Sequence, residues 1–184
     1  MKRFTMPLLL SGLALCTQPA LAAGKAHEHG VVKLDVAIEG SRLSIGLEAP
    51  LDNLLGFERA PRNDAERRSA AEVLARLRSP DRGQPLFSAD AAAQCSLKQV
   101  EVSAPVLEPS PKGEAKGAAA KEGHADAEAS YELTCAKPEA LRGLEVGLFD
   151  AYPRIQRIEV QVAGPQGQSK VTLRRPARSV KLTR

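Results

Sequence analysis

Two runs of strict alternation near the start of the chain constrain its fold more than any other feature. Val32, Leu34, Val36 and Ile38 alternate with Lys33, Asp35, Ala37 and Glu39, and Leu43, Ile45 and Leu47 alternate with Ser44, Gly46 and Glu48. Successive side chains of a strand point to opposite faces, so period-two patterning buries one face and wets the other. Gly40-Ser41 lies between the runs, which predicts a β-hairpin, and Pro50 ends its second strand. From Asn63 to Arg78 the period lengthens, and Ala70, Val73, Leu74 and Leu77 fall on one helical face. Asn63, with Glu66 three residues later, marks a capped N-terminus, and Ser79-Pro80 stops the helix. This amphipathic helix is expected to pack against the sheet.

Short strands are predicted around Cys95–Ser103 and Tyr131–Cys135, and between them the composition changes. Residues 104–129 carry Pro105, Pro109 and Pro111 among repeated Ala, Gly, Lys and Glu, with almost no large apolar side chain. Such a stretch buries too little surface to offset its ordering entropy, so it reads as a flexible low-complexity loop. Strands return at Leu144–Phe149, Arg157–Ala163, Lys170–Arg174 and Ser179–Leu182, with a turn at Gly164-Pro165-Gln166-Gly167. Strands outnumber helices and do not alternate with them. The order predicts an α+β fold: a single domain of mostly antiparallel β-sheet, with an N-terminal hairpin and one main amphipathic helix.

The first 22 residues read as a cleavable leader. Basic Lys2 and Arg3 precede an apolar run from Met6 to Cys16, and Ala20-Leu21-Ala22 is the small-x-small pattern cut by signal peptidase. The run is too short for the roughly 20 residues of a membrane-spanning helix. Leu15 stands where a lipoprotein signal wants a small residue before Cys16, so cleavage rather than lipidation is expected. The mature chain is then a single domain from residue 23 to 184, and the expected compartment is the periplasm. Losing Lys2 and Arg3 lowers the formal charge of +4 by two, to about +2. The basic C-terminal stretch lacks interleaved aromatics, so no nucleic-acid partner is expected. Of the three cysteines, Cys95 and Cys135 survive cleavage. An even count in an exported chain argues for a disulfide, one that staples the long loop between its flanking strands.

Chemistry-bearing motifs are scarce. There is no glycine-rich phosphate loop, nucleophile elbow, paired-cysteine metal motif or His-Glu-x-x-His helix, so an enzyme is not expected. His27-Glu28-His29-Gly30 stands out. If it runs extended into the first strand, His27 and His29 project to one side with Glu28 opposite, and two imidazoles so placed suit zinc or copper. A free amine with histidine at position three would chelate copper or nickel, but cleavage after Ala22 or Ala23 leaves His27 further along. The remaining histidine, His124, sits in the long loop near Asp126 and Glu128. A four-ligand zinc site would combine His27, His29, His124 and a carboxylate.

Several motifs, in order, resemble a known family. They are His-Glu-His-Gly at 27–30, Leu-Asp-Val-Ala-Ile-Glu-Gly at 34–40, Leu-Glu-Ala-Pro at 47–50 and Gly-Phe-Glu-Arg-Ala-Pro at 56–61. Ala-x-Cys at 93–95, His124 through Tyr131 to Cys135, Leu148-Phe149 and Tyr152-Pro153 follow. The chain is similar in these to the ZrgA family of periplasmic zinc-uptake proteins. The resemblance implies a non-enzymatic accessory protein that binds zinc and supports delivery to a zinc importer. It carries over His27, His29 and His124, with Glu58, Asp126 and Glu128 as carboxylate ligands. Two departures bear on capacity. The family's loop between the cysteines is dense in His and Asp, whereas here it holds one histidine. Arg59 also stands where the family often has histidine, and a guanidinium repels a cation. The alternative is therefore an interaction module that has lost its metal and binds a partner through a sheet edge or its basic C-terminal strand.

Overall fold

The computed structural model describes residues 28–107 and 125–182, and the predicted hairpin lies at its centre. β1 (Val31–Glu39) pairs antiparallel with β2 (Arg42–Pro50), placing Val36 opposite Ile45 and Lys33 opposite Glu48. Pro50 then begins the turn into α1 (Leu51–Leu55), a short helix the sequence pattern did not predict. α2 (Asp64–Arg78) follows. Asn63 caps it, its side-chain oxygen accepting from the Glu66 N–H at 2.9 Å, a contact worth about 1 kcal/mol. Ala70, Val73, Leu74 and Leu77 are its buried face, as the 3.6-residue period requires.

Further along the chain come β3 (Phe87–Ala89), β4 (Cys95–Ser103), β5 (Asp126–Cys135) and β6 (Gly143–Val146). They are followed by α3 (Leu148–Ala151), β7 (Arg157–Gly164), β8 (Gly167–Arg174) and β9 (Ser179–Lys181). Six strands form the main sheet in the order β4-β5-β2-β1-β7-β8, antiparallel except for the parallel β1–β7 pair. Three short strands form a second sheet, β3-β6-β9, which the sequence pattern left undivided from the first. One face of the main sheet is buried: Leu34, Val36, Leu43, Ile45, Tyr131, Ile158 and Val160 are within a few per cent of fully enclosed. They form one core with α2 and with Leu144, Val146 and Val180 of the second sheet. The Phe87 and Tyr131 rings join the two sheets at 5.2 Å between centroids.

Three expectations change in detail. Residues 126–129, read as part of the loop, belong to β5, where Ala127 and Ala129 are buried with period two. Ala104 and Leu107 at the loop's other end are buried too, in a turn closed by the Leu107 N–H on the Ala104 carbonyl at 2.8 Å. Leu148 and Phe149, expected in a strand, start α3. Gly147 turns the backbone there, and the first turn of helix closes on its carbonyl. The Cys95–Cys135 disulfide is formed. It joins paired residues at the ends of β4 and β5 remote from the loop, eight residues or roughly 26 Å along the strand from Ser103. Residues 1–27, with the expected leader and His27, and residues 108–124, with His124, lie outside the described residues. Among the described residues no helix is long and apolar enough to cross a membrane.

Candidate functional site

His29 sits at one end of the main sheet, in the turn that leads into β1. The Val31 N–H closes this turn on the Glu28 carbonyl at 3.1 Å, and Gly30 takes a φ of 82° that L side chains rarely adopt. A Cβ on Gly30 would also press on the Gln156 side chain at 3.1 Å. The turn is gripped from both sides. The Gly30 carbonyl accepts from Gln156 and Arg157 N–H groups at 2.8 and 2.9 Å. On the other side the buried Asn53 side chain accepts from the Gly30 N–H and donates to the Val31 carbonyl, both at 2.6 Å. α1 exists in this position to deliver that amide.

The His29 ring is held out to solvent, 64% exposed, between two carboxylates. Its Nε2 lies 3.3 Å from Glu58 Oε1 and its Nδ1 4.0 Å from Asp52 Oδ2. Glu58 arrives there because Gly56, at φ 84°, ends α1 in a left-handed turn that sends the chain back. Asp52 is itself tied down: the Arg154 guanidinium donates to its carbonyl at 2.9 Å and to its carboxylate at 3.2 Å. His29, Gly30, Asp52, Arg154 and Gln156 line a shallow pocket of about 430 Å³.

The projection of His27 and His29 to one side requires an extended run into the first strand; His29 stands in this turn instead, and His27 lies outside the described residues. Glu28 still leaves in a different direction from His29, since its carboxylate accepts from Arg157 at 2.6 Å. Glu58, carried over by resemblance, does meet His29. Asp126 opens β5 opposite Pro50, beside the start of α1, and is half-buried. Glu128 is exposed on the open face of the sheet, opposite Glu48 on one side and Ser103 on the other. Among the described residues no three His, Cys, Asp or Glu side chains are grouped closely enough to hold a metal ion. Sequence reasoning missed Asp52, Asn53 and Arg154. Only the Leu-Asp-Asn-Leu-Leu run after Pro50 could have marked the first two, and nothing local marks Arg154.

Arg59 offers nothing to this site. It turns away to Glu66, donating from two nitrogens at 2.7 and 2.9 Å, and lies over the Phe57 ring. The pair holds the Glu66 carboxyl down to about 2, with a further N–H bond from Arg62.

The donor set suits zinc in kind. Imidazole and carboxylate are ordinary zinc ligands at about 2.0–2.2 Å, so two of them on one tetrahedral ion stand ~3.3 Å apart. His29 Nε2 and Glu58 Oε1 have that separation. Against known proteins, a family model described as "ZrgA family zinc uptake protein" matches residues 26–182, most of the chain. No curated protein matches the chain.

Proposed function

The chain belongs to the ZrgA family of zinc uptake proteins, and from that premise we propose that it is an exported periplasmic accessory protein with one modest zinc site. The ion is the cargo, and its delivery to a zinc importer is the role. His29 and Glu58 are the ligands at the centre of the proposal, carried by their 3.3 Å separation on a turn fixed by Asn53. His27 and His124 supply the further imidazoles. His27 precedes Glu28 directly, and His124 precedes Ala125, whose carbonyl accepts from the Leu51 N–H at 2.8 Å, one residue from Asp52. Asp126 follows at the same end of the sheet. Copper or nickel would compete for such imidazoles, as divalent affinities generally rise toward copper.

The test is calorimetric titration of the chelator-stripped mature protein with zinc, beside a His27→Ala/His29→Ala variant. One zinc per chain, lost in the variant, supports the reading. Stoichiometric binding that survives the double change overturns the ligand assignment.

A second reading is a metal-independent interaction module. Its supporting observation is Arg59, a cation committed to Glu66 at the position where the resemblance leads one to expect histidine. A partner recovered equally with and without chelator would favour it.

A further inference from the structure

The two edges of the main sheet are treated differently. Exposed edge strands invite pairing with other chains, and proteins blunt them with bulges, charges or covering elements. β4 is blunted in this way. A bulge interrupts its pairing between Leu97 and Gln99, with Lys98 at the irregularity, and α2 packs beside it. β8 is not. It runs eight residues in unbroken register with β7, and seven of the eight are exposed. Among the described residues, no backbone hydrogen bond outside the strand ladders reaches residues 167–173. Alternate residues of such a strand turn their N–H and C=O groups outward, so about four residues of β8 present them unpaired.

Beside this edge, on the core side of the sheet, runs a groove of about 660 Å³. Its apolar wall includes Ile38, Leu141, Val162, Val171 and Leu182. Val171 is 37% exposed, the one large apolar side chain left open among the described residues. The groove's rim carries Arg142, Lys170 and Lys181 against the single carboxylate Glu139. An unpaired strand edge, an apolar groove alongside it and a cationic rim together make a site for strand addition.

We propose that β8 and this groove dock an extended acidic segment of a protein partner, which adds as a strand, seats alternate apolar side chains in the groove and sets the intervening carboxylates against Lys170 and Arg174 on the open face of the sheet. Charge decides against a second copy of the chain as occupant. Gly167–Arg174 holds Lys170 and Arg174 and no acid, so two copies paired edge to edge would bring cations together without counter-charge. The groove lies toward the tip of the β7–β8 hairpin, away from His29, while β8 runs back from there to Arg174, opposite Arg157 at the other end of the sheet; the docking makes no use of the metal.

The test uses the mature chain in chelator with a ten-residue synthetic peptide of alternating Val and Glu, and the same peptide with Lys for Glu. Hydrogen exchange at residues 167–174 is expected to slow with the Glu peptide and not with the Lys peptide. A Lys170→Glu/Arg174→Glu variant, changed only at exposed positions, should bind the Glu peptide about three- to tenfold more weakly, the worth of two exposed charge pairs. It should bind the Lys peptide better than the parent does. Unchanged exchange at 167–174, or equal binding of both peptides, overturns the proposal. Concentration-dependent dimerisation in sedimentation that the double variant abolishes would overturn the choice of occupant in favour of a second copy.

Discussion

The Arg59 guanidinium and the Glu66 carboxylate form a two-pronged pair, Nη1 to Oε2 at 2.7 Å and Nη2 to Oε1 at 2.9 Å. One residue of the pair belongs to the loop that carries Glu58, and the other to the first turn of α2. The pair therefore fixes the approach of Glu58 to His29 while removing Arg59 from it. The arrangement also has a pH signature. Glu66 is held down from 4.5 to about 2, first by Arg59 and then by the Arg62 N–H. A depressed carboxyl stabilises the fold above its unfolded value and loses that contribution as pH falls. The parent's stability should therefore decline between about pH 4.5 and 2, and Glu66→Gln should flatten that part of the profile. Urea unfolding at stepped pH checks it, and parallel profiles for the two proteins would refute the assignment.

Removing the disulfide should be costly. The bond closes a ring across a sequence separation of 40, which in the chain-entropy model is worth about 4 kcal/mol. Cys95→Ala/Cys135→Ala is expected to approach that loss in chemical denaturation. Because the bond ties strand ends remote from the loop, exchange should quicken first at the outer edge, in β4 near Ser96, rather than at Val102 and Ser103.

Asn53→Asp separates the two jobs of that amide. The carboxylate can still accept from the Gly30 N–H, but it cannot donate to the Val31 carbonyl and meets it with negative charge. Leaving a buried acceptor unpaired costs about 1–3 kcal/mol. Thermal unfolding should register that loss. A variant as stable as the parent would mean that the turn at His29 is held chiefly by Gln156 and Arg157.

A Cβ at Gly147 would run into the Pro85 carbonyl oxygen, where the chain before β3 crosses the start of α3. The Gly147 N–H also donates to the Leu86 carbonyl at 2.8 Å, so the two backbones cannot separate freely. Gly147→Ala is expected to destabilise by about 1–3 kcal/mol, the usual cost of overpacking. A midpoint of denaturation equal to the parent's would show that the segment at Pro85 yields.

The sequence was most legible where large branched side chains set the period. Val32 through Ile38 announced β1, and the Asn63 cap with Ala70, Val73, Leu74 and Leu77 announced α2 to within a residue. It was least legible where small residues did the same work. Ala127 and Ala129 are as deeply buried as Leu47, yet alanine has little strand preference and they sit in a stretch of Ala, Lys and Glu. α3 was hidden because Leu148-Phe149 continues the apolar run of β6, and only the crowding of Gly147 against Pro85 ends that strand. At the candidate site His29 and Glu58 could be named from residue type and resemblance. Asn53 and Asp52 could not, because their roles depend on partners 23 and 102 residues away, Gly30 and Arg154 respectively.

If one zinc ion is shared by His29 and Glu58, the two side chains must lose their value together. Each single change, His29→Ala or Glu58→Gln, removes a direct ligand. It should cost at least the roughly 10- to 100-fold in affinity that even an outer-shell partner is worth. The second change then has less left to remove, so the double variant should be weaker than the parent by clearly less than the product of the two. Residues in one network show coupling of about 0.5–3 kcal/mol in such cycles, whereas independent sites add. Glu128→Gln serves as the comparison: Glu128 faces Glu48 on the open sheet, and its loss should leave zinc affinity unchanged. Competition titration against a fluorescent chelator gives all five affinities. Additive losses from His29 and Glu58 would mean that their 3.3 Å approach is a hydrogen bond between surface groups. An effect of Glu128 equal to that of Glu58 would move the site onto the open face of β5.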